Sequence, residues 1–349
     1  MKQTTCSLAK MAFLLLLTGP GFLDQALAND DLLHRAQQIF APLPRDMATK
    51  AYPLSPEKIA LGRMLFFDPR LSVDGTVSCS TCHLPQFYGT DALPKSIGVL
   101  QRSNHRNAPS VLNAALYPIA VHWIGDRESI EEQAQKSLTG KNSMGNPNPE
   151  TVIQKLNQLG YAAAFEKAFP QEEQPITPSN WGIAIGAFER TLTTPSSFDR
   201  YLAGDEAALD ARAKAGLEAF MDTGCTACHN GVGIGGGSFQ KFGVYGEYWQ
   251  ATKSQEIDQG RFAVTKKEND RYVFKVPSLR NVVMTPPYFH DGSVEELDKA
   301  IGIMAKLQLN KELDQHTTAN IMAFLNSLTG QMPASFQTPP VLQPRTRKP

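Results

Sequence analysis

Two stretches of the chain place thiols and an imidazole at a spacing with a specific chemistry. Cys79-Ser80-Thr81-Cys82-His83 and Cys225-Thr226-Ala227-Cys228-His229 each read Cys-x-x-Cys-His, the attachment signature of a c-type haem. The two cysteines add across the haem vinyl groups, and the histidine beside them is held where its ring nitrogen can bind the iron as proximal ligand. The competing reading is a redox or metal-binding Cys-x-x-Cys with a chance histidine next to it. Two full matches in a chain with only five cysteines and seven histidines leave that reading little room, and the sequence is read as a two-haem protein.

The elements that must position these motifs start after a targeting segment. Lys2 and Lys10, an apolar run from Met11 to Leu17 and Ala26-Leu27-Ala28 before Asn29 form a secretory signal peptide cleaved after Ala28. The run is too short to span a bilayer. Cleavage removes Cys6 and leaves every remaining cysteine in a haem motif. Export fits c-type haem attachment, and the periplasm is the expected compartment. The remaining length suits two domains, one per haem, with bounds at 29–194 and 195–336 and a disordered tail over 337–349. Equal numbers of basic and acidic residues, 34 of each, point away from nucleic acid and membrane surfaces.

Periodicity predicts a helix over 30–40. Ser55-Pro56-Glu57 supplies an N-cap and a first-turn proline for a second helix, which ends near Asp68-Pro69 before the loop 71–75 leads to the first motif. Helical patterns follow over 150–169 and 180–192, and another over 214–221 leads into Cys225. The glycine-rich run 231–237 lets backbone pass close to a porphyrin.

The stretch LGRMLFFDPRLSVDGTVSCSTCH (61–83) resembles the opening of the bacterial di-haem cytochrome c peroxidase family, which includes MauG-like enzymes. The likeness continues through HRNAPSVLNAAL (105–116), AFERTLTTPSSFDRYLAGD (187–205), CTACHNGVGIGGG (225–237) and FKVPSLRNVVMTPPYFHDGSVEELDKAIGIM (274–304). It implies a mainly α fold of two cytochrome c-like haem domains. The haem of Cys79, Cys82 and His83 would be peroxidatic, and that of Cys225, Cys228 and His229 would accept electrons, with Met304 as its second axial ligand and Met284 as runner-up. Trp123 would carry electrons between the haems. Asn107, Thr285 and the carbonyl of Pro287 would hold a calcium ion, an oxygen-only set suited to that cation. Arg106 would contact haem, and His290 would be structural.

The same resemblance exposes two departures. Val99 stands where many members carry a histidine that caps the first iron, so that haem is expected to need no reductive activation; His105 and His122 are the nearby alternatives. Gln133 matches the distal glutamine, but Ser143 occupies the position of the glutamate that moves the proton, with Glu131, Glu132 and Glu150 as possible displaced acids. Three functions follow: a peroxidase fed by a small cytochrome c or cupredoxin and reducing hydrogen peroxide, a MauG-like oxidase of a partner's aromatic residue, or a non-catalytic electron carrier. A homodimer is compatible with each.

Overall fold

The computed structural model describes residues 31–117 and 121–342; the segment 1–28 expected to be a signal peptide and the end of the tail lie outside them. The described chain is mostly helical, and none of its helices is long and apolar enough to cross a membrane.

Two helix pairs repeat one plan. Pro56–Phe67 packs on Pro178–Glu189, and Ala211–Thr223 packs on Gln315–Ser327. At each crossing a glycine admits its partner's backbone: a Cβ on Gly62 would lie 1.8 Å from the Ala184 carbonyl oxygen, and one on Gly216 would lie 1.8 Å from that of Asn320. Any side chain there would force the helices apart. The first member of each pair leads to a Cys-x-x-Cys-His segment. Ser55 caps Pro56–Phe67 by accepting from the Lys58 amide, and Asp68 ends it, as the sequence predicts. Asp210 caps Ala211–Thr223, and Gly224, at φ 99°, turns the chain directly into Cys225.

A second repeat lies in the loops, as Pro109-Ser110-x-x-Asn113 and Pro277-Ser278-x-x-Asn281. Both asparagines are left-handed, at φ 60° and 62°, and each starts a short 3-10 turn. Their side-chain amides converge on one hydroxyl, Thr194 Oγ1, at 2.8 and 2.9 Å. The halves are thus pinned where the sequence places the domain boundary.

Each half has its own core. Leu61, Leu65, Phe66, Phe165, Trp181 and Phe188 belong to the first; Phe198, Tyr201, Leu217, Phe220 and Phe324 belong to the second. The chain ends cross over. Leu32, Leu33 and Ala36, from the helix over 31–39, and Phe40 just after it pack into the second core, whereas Phe336, from Ala334–Gln337, is fully buried in the first. Arg63 fastens that crossing by donating to the Ser335 carbonyl at 2.7 Å and the Thr338 carbonyl at 2.5 Å. Residues 337 and 338 are therefore held, unlike the disordered tail expected from the sequence.

The single helical pattern over 150–169 is in fact two helices, Pro149–Gln158 and Ala162–Ala168. Gly160, at φ 78°, breaks it, and Tyr161 turns inward to donate its hydroxyl to Asp68 at 2.8 Å. A two-stranded antiparallel ribbon pairs Phe239–Lys241 with Val273–Lys275, Gln240 opposite Phe274. It borders a third apolar cluster containing Phe242, Tyr248, Phe274 and Leu307, with Trp123, Trp249, Tyr272 and Met304 packed against it.

Candidate haem sites and the region between them

The loop repeat brings equivalent groups to the two histidines. His83 Nδ1 lies 2.9 Å from the Gly89 carbonyl, so it carries the hydrogen and Nε2 keeps the lone pair that binds a metal. Burial lowers the His83 pKa, opposed by backbone groups that include Pro109. His229 Nδ1 is buried without a hydrogen-bond partner among the described residues. Burial pushes its pKa down to about 4 against the backbone of Ile234 and Pro277. A Cβ on Gly235 would sit 2.4 Å from the Pro277 carbonyl oxygen, so the missing side chain is what admits that carbonyl. Both imidazoles are held neutral, the form that binds iron.

The cysteines fit thioether attachment better than a metal-thiolate or redox site. None forms a disulfide. Burial raises Cys82, helped by Asp91, and Cys225 to about 11, far from thiolate at neutral pH. Among the described residues no cluster of three or more His, Cys, Asp or Glu side chains could hold a metal ion unaided.

One cavity of about 320 Å³ joins much of the predicted machinery. Cys225, Cys228 and His229 line it together with Met304, from helix Leu297–Leu309, and it continues past Trp123, Asn107, Thr285 and Pro287 to Pro109. Met284 is 40% exposed and does not line it. Trp123 donates its indole N–H to the Asn107 carbonyl at 2.9 Å, and the Asn107 amide donates to the His290 carbonyl at 2.9 Å. Asn107 Nδ2 donates to the Leu93 carbonyl, leaving Oδ1 as the acceptor. His290 is buried and stacked on Phe274, with centroids 4.2 Å apart. The glycine run 231–237 receives Tyr117: a Cβ on Gly236 would lie 2.0 Å from its ring. Arg106, expected at haem, forms a two-pronged pair with Asp258 at 2.7 and 2.9 Å. His105 is exposed.

The structure redirects several of the residues expected on the distal side. Ser143 Oγ lies 2.9 Å from the Ser137 carbonyl and 3.1 Å from that of Gly140, so its hydroxyl serves its own loop. The Ser143 carbonyl accepts from the Val99 amide at 3.1 Å, and Val99 is fully enclosed, its methyls against Gly145. Further stitches run from the Leu100 amide to Asp74 at 3.2 Å and from Asn104 to the Asn142 carbonyl at 3.0 Å. A Cβ on Gly98 would lie 1.9 Å from the Asn142 carbonyl oxygen. The two departures from the family pattern therefore sit in one interlocked pair of loops.

Gln133, on helix Ile130–Ser137, is half-buried, and its side chain has no hydrogen-bond partner among the described residues. The three acids considered as replacements are otherwise engaged or remote. Glu131 is buried against Arg190 at 2.7 Å; Glu132 pairs with Lys136; Glu150 is exposed in the first turn of Pro149–Gln158. His122 bonds Asp126 at 2.9 Å and lies close enough to His83 to act on that ring. Burial disfavours the Asp126 carboxylate, but His122 and Arg127 hold it down to about 2. The sequence reading missed Glu189. Burial and the nearby Glu131 charge push its carboxyl up to about 8, with Arg190 opposing, and it is near enough to Cys79 to raise that thiol. Its only signal in the sequence is an acid among apolar neighbours in GAFERTL.

Two Cys-x-x-Cys-His segments, each with a neutral imidazole on a repeated helix and loop plan, define a two-haem c-type protein. The family model described as di-haem cytochrome c peroxidase matches residues 56–207. The chain is 43% identical to cytochrome c551 peroxidase of Pseudomonas aeruginosa, over 90% of this chain and 93% of that protein. It is 36% identical to the methylamine utilization protein MauG of Methylorubrum extorquens, over 83% of each. The crystal structure of a MauG-like protein associated with microbial copper homeostasis superposes with a TM-score of 0.73 at 29% identity, covering 84% of this chain and 96% of that one. The chain belongs to the di-haem cytochrome c peroxidase and MauG-like family.

Proposed function

We propose that the chain is a periplasmic di-haem peroxidase that reduces hydrogen peroxide with electrons from a small cytochrome c or cupredoxin. The observation that carries this reading is the single cavity joining Cys225, Cys228, His229 and Met304 to Trp123 and on to the Pro109 loop beside His83. The proposed units are two cytochrome c-like domains meeting near Thr194, with the helix over 31–39 packed on the second and Ala334–Gln337 on the first. When bound, the haem that His83 would hold would supply an iron that activates peroxide, and the haem that His229 and Met304 would hold would supply a centre that takes up donor electrons.

The chain's own residues do the rest. The Gly89 carbonyl fixes the His83 tautomer. Trp123 shortens the electron's jump between the two sites, held by its bond to Asn107. Asn107 Oδ1, Thr285 and the Pro287 carbonyl would hold the calcium ion and so brace this junction. With Ser143 turned to its own loop, the Gln133 amide is the hydrogen-bonding group toward peroxide, and Glu189, whose carboxyl burial pushes up to about 8, is an acid close to the first attachment segment. Each peroxide takes two electrons and two protons and leaves as two waters.

Two other readings each have one observation. Enclosed Val99 favours a MauG-like oxidase whose first haem needs no reduction, while Met304 favours the peroxidase. The engaged Ser143 hydroxyl favours a carrier without catalysis. Steady-state oxidation of reduced cytochrome c by the calcium-loaded holoprotein and peroxide decides among them. The peroxidase gives two donors oxidised per peroxide. No turnover, with donor electrons still reaching the second haem, would reject the peroxidase: a first haem that still responds to peroxide then leaves the MauG-like oxidase, and one that does not leaves the carrier.

A further inference from the structure

We propose that the third apolar cluster is an outlet for oxidising equivalents, ending at an oxidisable pair, Trp249 and Tyr272, on the surface of the second half. The inference rests on the peroxide reactivity proposed above and adds a site of one-electron oxidation within this chain.

The rings form an unbroken series. Trp123, between the two sites, lies 6.4 Å from the His290 ring, and His290 lies 5.2 Å from Tyr248. Tyr248 meets Trp249 edge-on at 5.2 Å and Tyr272 at 6.1 Å, and the last two are 4.9 Å apart. All distances are between centroids. Tyr248 and His290 are buried, while Trp249 and Tyr272 are half-buried and meet solvent. Met304 packs against the same cluster, so the series begins beside both proposed electron-transfer groups. Of the three tryptophans in the chain, Trp181 is fully buried in the first core; the other two are in this series. Indole and phenol are the side chains most readily oxidised by one electron in a packed interior, and placing them in ring contact lets an electron move inward in short steps.

The stoichiometry closes within the protein. When no donor is present, one peroxide is reduced to two waters by two electrons and two protons. Trp249 gives one electron and its indole proton, Tyr272 gives one electron and its phenol proton, and the electrons pass through Tyr248 and His290 to Trp123. Water at the half-buried rings takes the protons. The two resulting neutral radicals are adjacent and couple to a cross-link that is two hydrogens lighter than the separate side chains. With a reduced donor the route is idle.

The test mixes the calcium-loaded holoprotein with a few equivalents of hydrogen peroxide, with and without reduced cytochrome c. Haem absorption, the organic-radical EPR signal and peptide masses are followed together. The expected result is cross-linking of the peptides holding Trp249 and Tyr272 without donor, suppression by donor, and loss of that modification and of most of the radical signal in Trp249→Phe/Tyr272→Phe. Single Trp249→Phe and Tyr272→Phe proteins should each lose the cross-link while keeping donor-driven turnover. Haem absorption that responds to peroxide while these peptides stay unmodified would overturn the outlet and leave the peroxidase reading intact. An unchanged radical signal in the double variant would do the same. No haem response at all would overturn the peroxidase reading, and the outlet with it for want of an oxidant.

Discussion

Replacing Met304 by leucine is expected to abolish the low-spin spectrum of the second haem and nearly stop donor-driven peroxide reduction, with the chain still folded. Leucine conserves volume at a site packed against the cluster that contains Phe242 and Tyr248, so the core cost stays under about 1.5 kcal/mol; alanine would add a cavity cost of about 2–5 kcal/mol. What leucine removes is the thioether, which raises the potential of the iron it binds. Axial ligands move haem potentials over roughly 0.8 V. A fall on the order of 120 mV would weaken electron acceptance about 100-fold, at about 59 mV per tenfold for one electron. Spectroelectrochemistry of the Met304→Leu protein measures this directly. Met284→Leu is the control, because Met284 is exposed and outside the cavity, and it should behave as wild type. An unchanged potential and spectrum in Met304→Leu would reject the ligand assignment.

Asp199→Ala is expected to cause the largest loss of stability, about 3–5 kcal/mol, because it leaves a buried arginine without its counter-charge. The carboxylate lies 3.0 and 2.9 Å from the Arg280 fork, with side chains only 1% and 8% exposed. It also accepts from the Ser196 amide and hydroxyl, both at 2.7 Å, and from the Leu43 amide at 2.8 Å. It therefore ties the helix Ser197–Leu202 and the incoming chain to the second Pro-Ser-x-x-Asn loop. At about 2–4 °C per kcal/mol for a chain of this size, the melting temperature should fall by roughly 6–20 °C. The pH dependence has a definite sign. Burial disfavours the Asp199 charge, but Arg280 and the Ser196 and Leu43 donors outweigh it and hold the pKa below the usual aspartate value. Its contribution is then complete above about pH 4, the unfolded value, and is lost as pH falls through the lower folded value. Wild type and variant should differ by a constant amount at neutral pH and converge in acid. A neutral-pH difference below about 1 kcal/mol by chemical denaturation would contradict the role given to this pair.

Much of the candidate site could be proposed from the sequence because its signals are local. The Cys-x-x-Cys-His spacing, the Ser55-Pro56 helix start and the resemblance-matched positions Trp123, Asn107, Thr285, Pro287 and Met304 were read from short segments, and the structure gathers the last five around one cavity. The missed features depend on distant partners. Arg106 finds Asp258, 152 residues away, and no local pattern announces an ion pair of that span. The crossing of the chain ends was hidden for a related reason: an amphipathic helix over 31–39 shows that it needs a core but not which one. The Pro-Ser-x-x-Asn repeat was in plain view, yet five-residue loops acquire meaning only when both asparagines are seen at one threonine. Ser143 and Glu189 mark another limit, since residue type alone does not tell whether a hydroxyl or carboxyl faces a pocket or its own backbone.

The central claim is that this chain reduces peroxide at a first haem that no histidine caps, and one stopped-flow experiment tests it most directly. Calcium-loaded holoprotein is mixed with hydrogen peroxide in the fully oxidised and in the half-reduced state while the first haem's absorption is followed. Val99, enclosed and stitched to Ser143, predicts a prompt response in both states, within about tenfold of each other in rate, followed by oxidation of added donor. A response confined to the half-reduced protein would mean that a ligand caps the first iron at rest, and it would contradict the account.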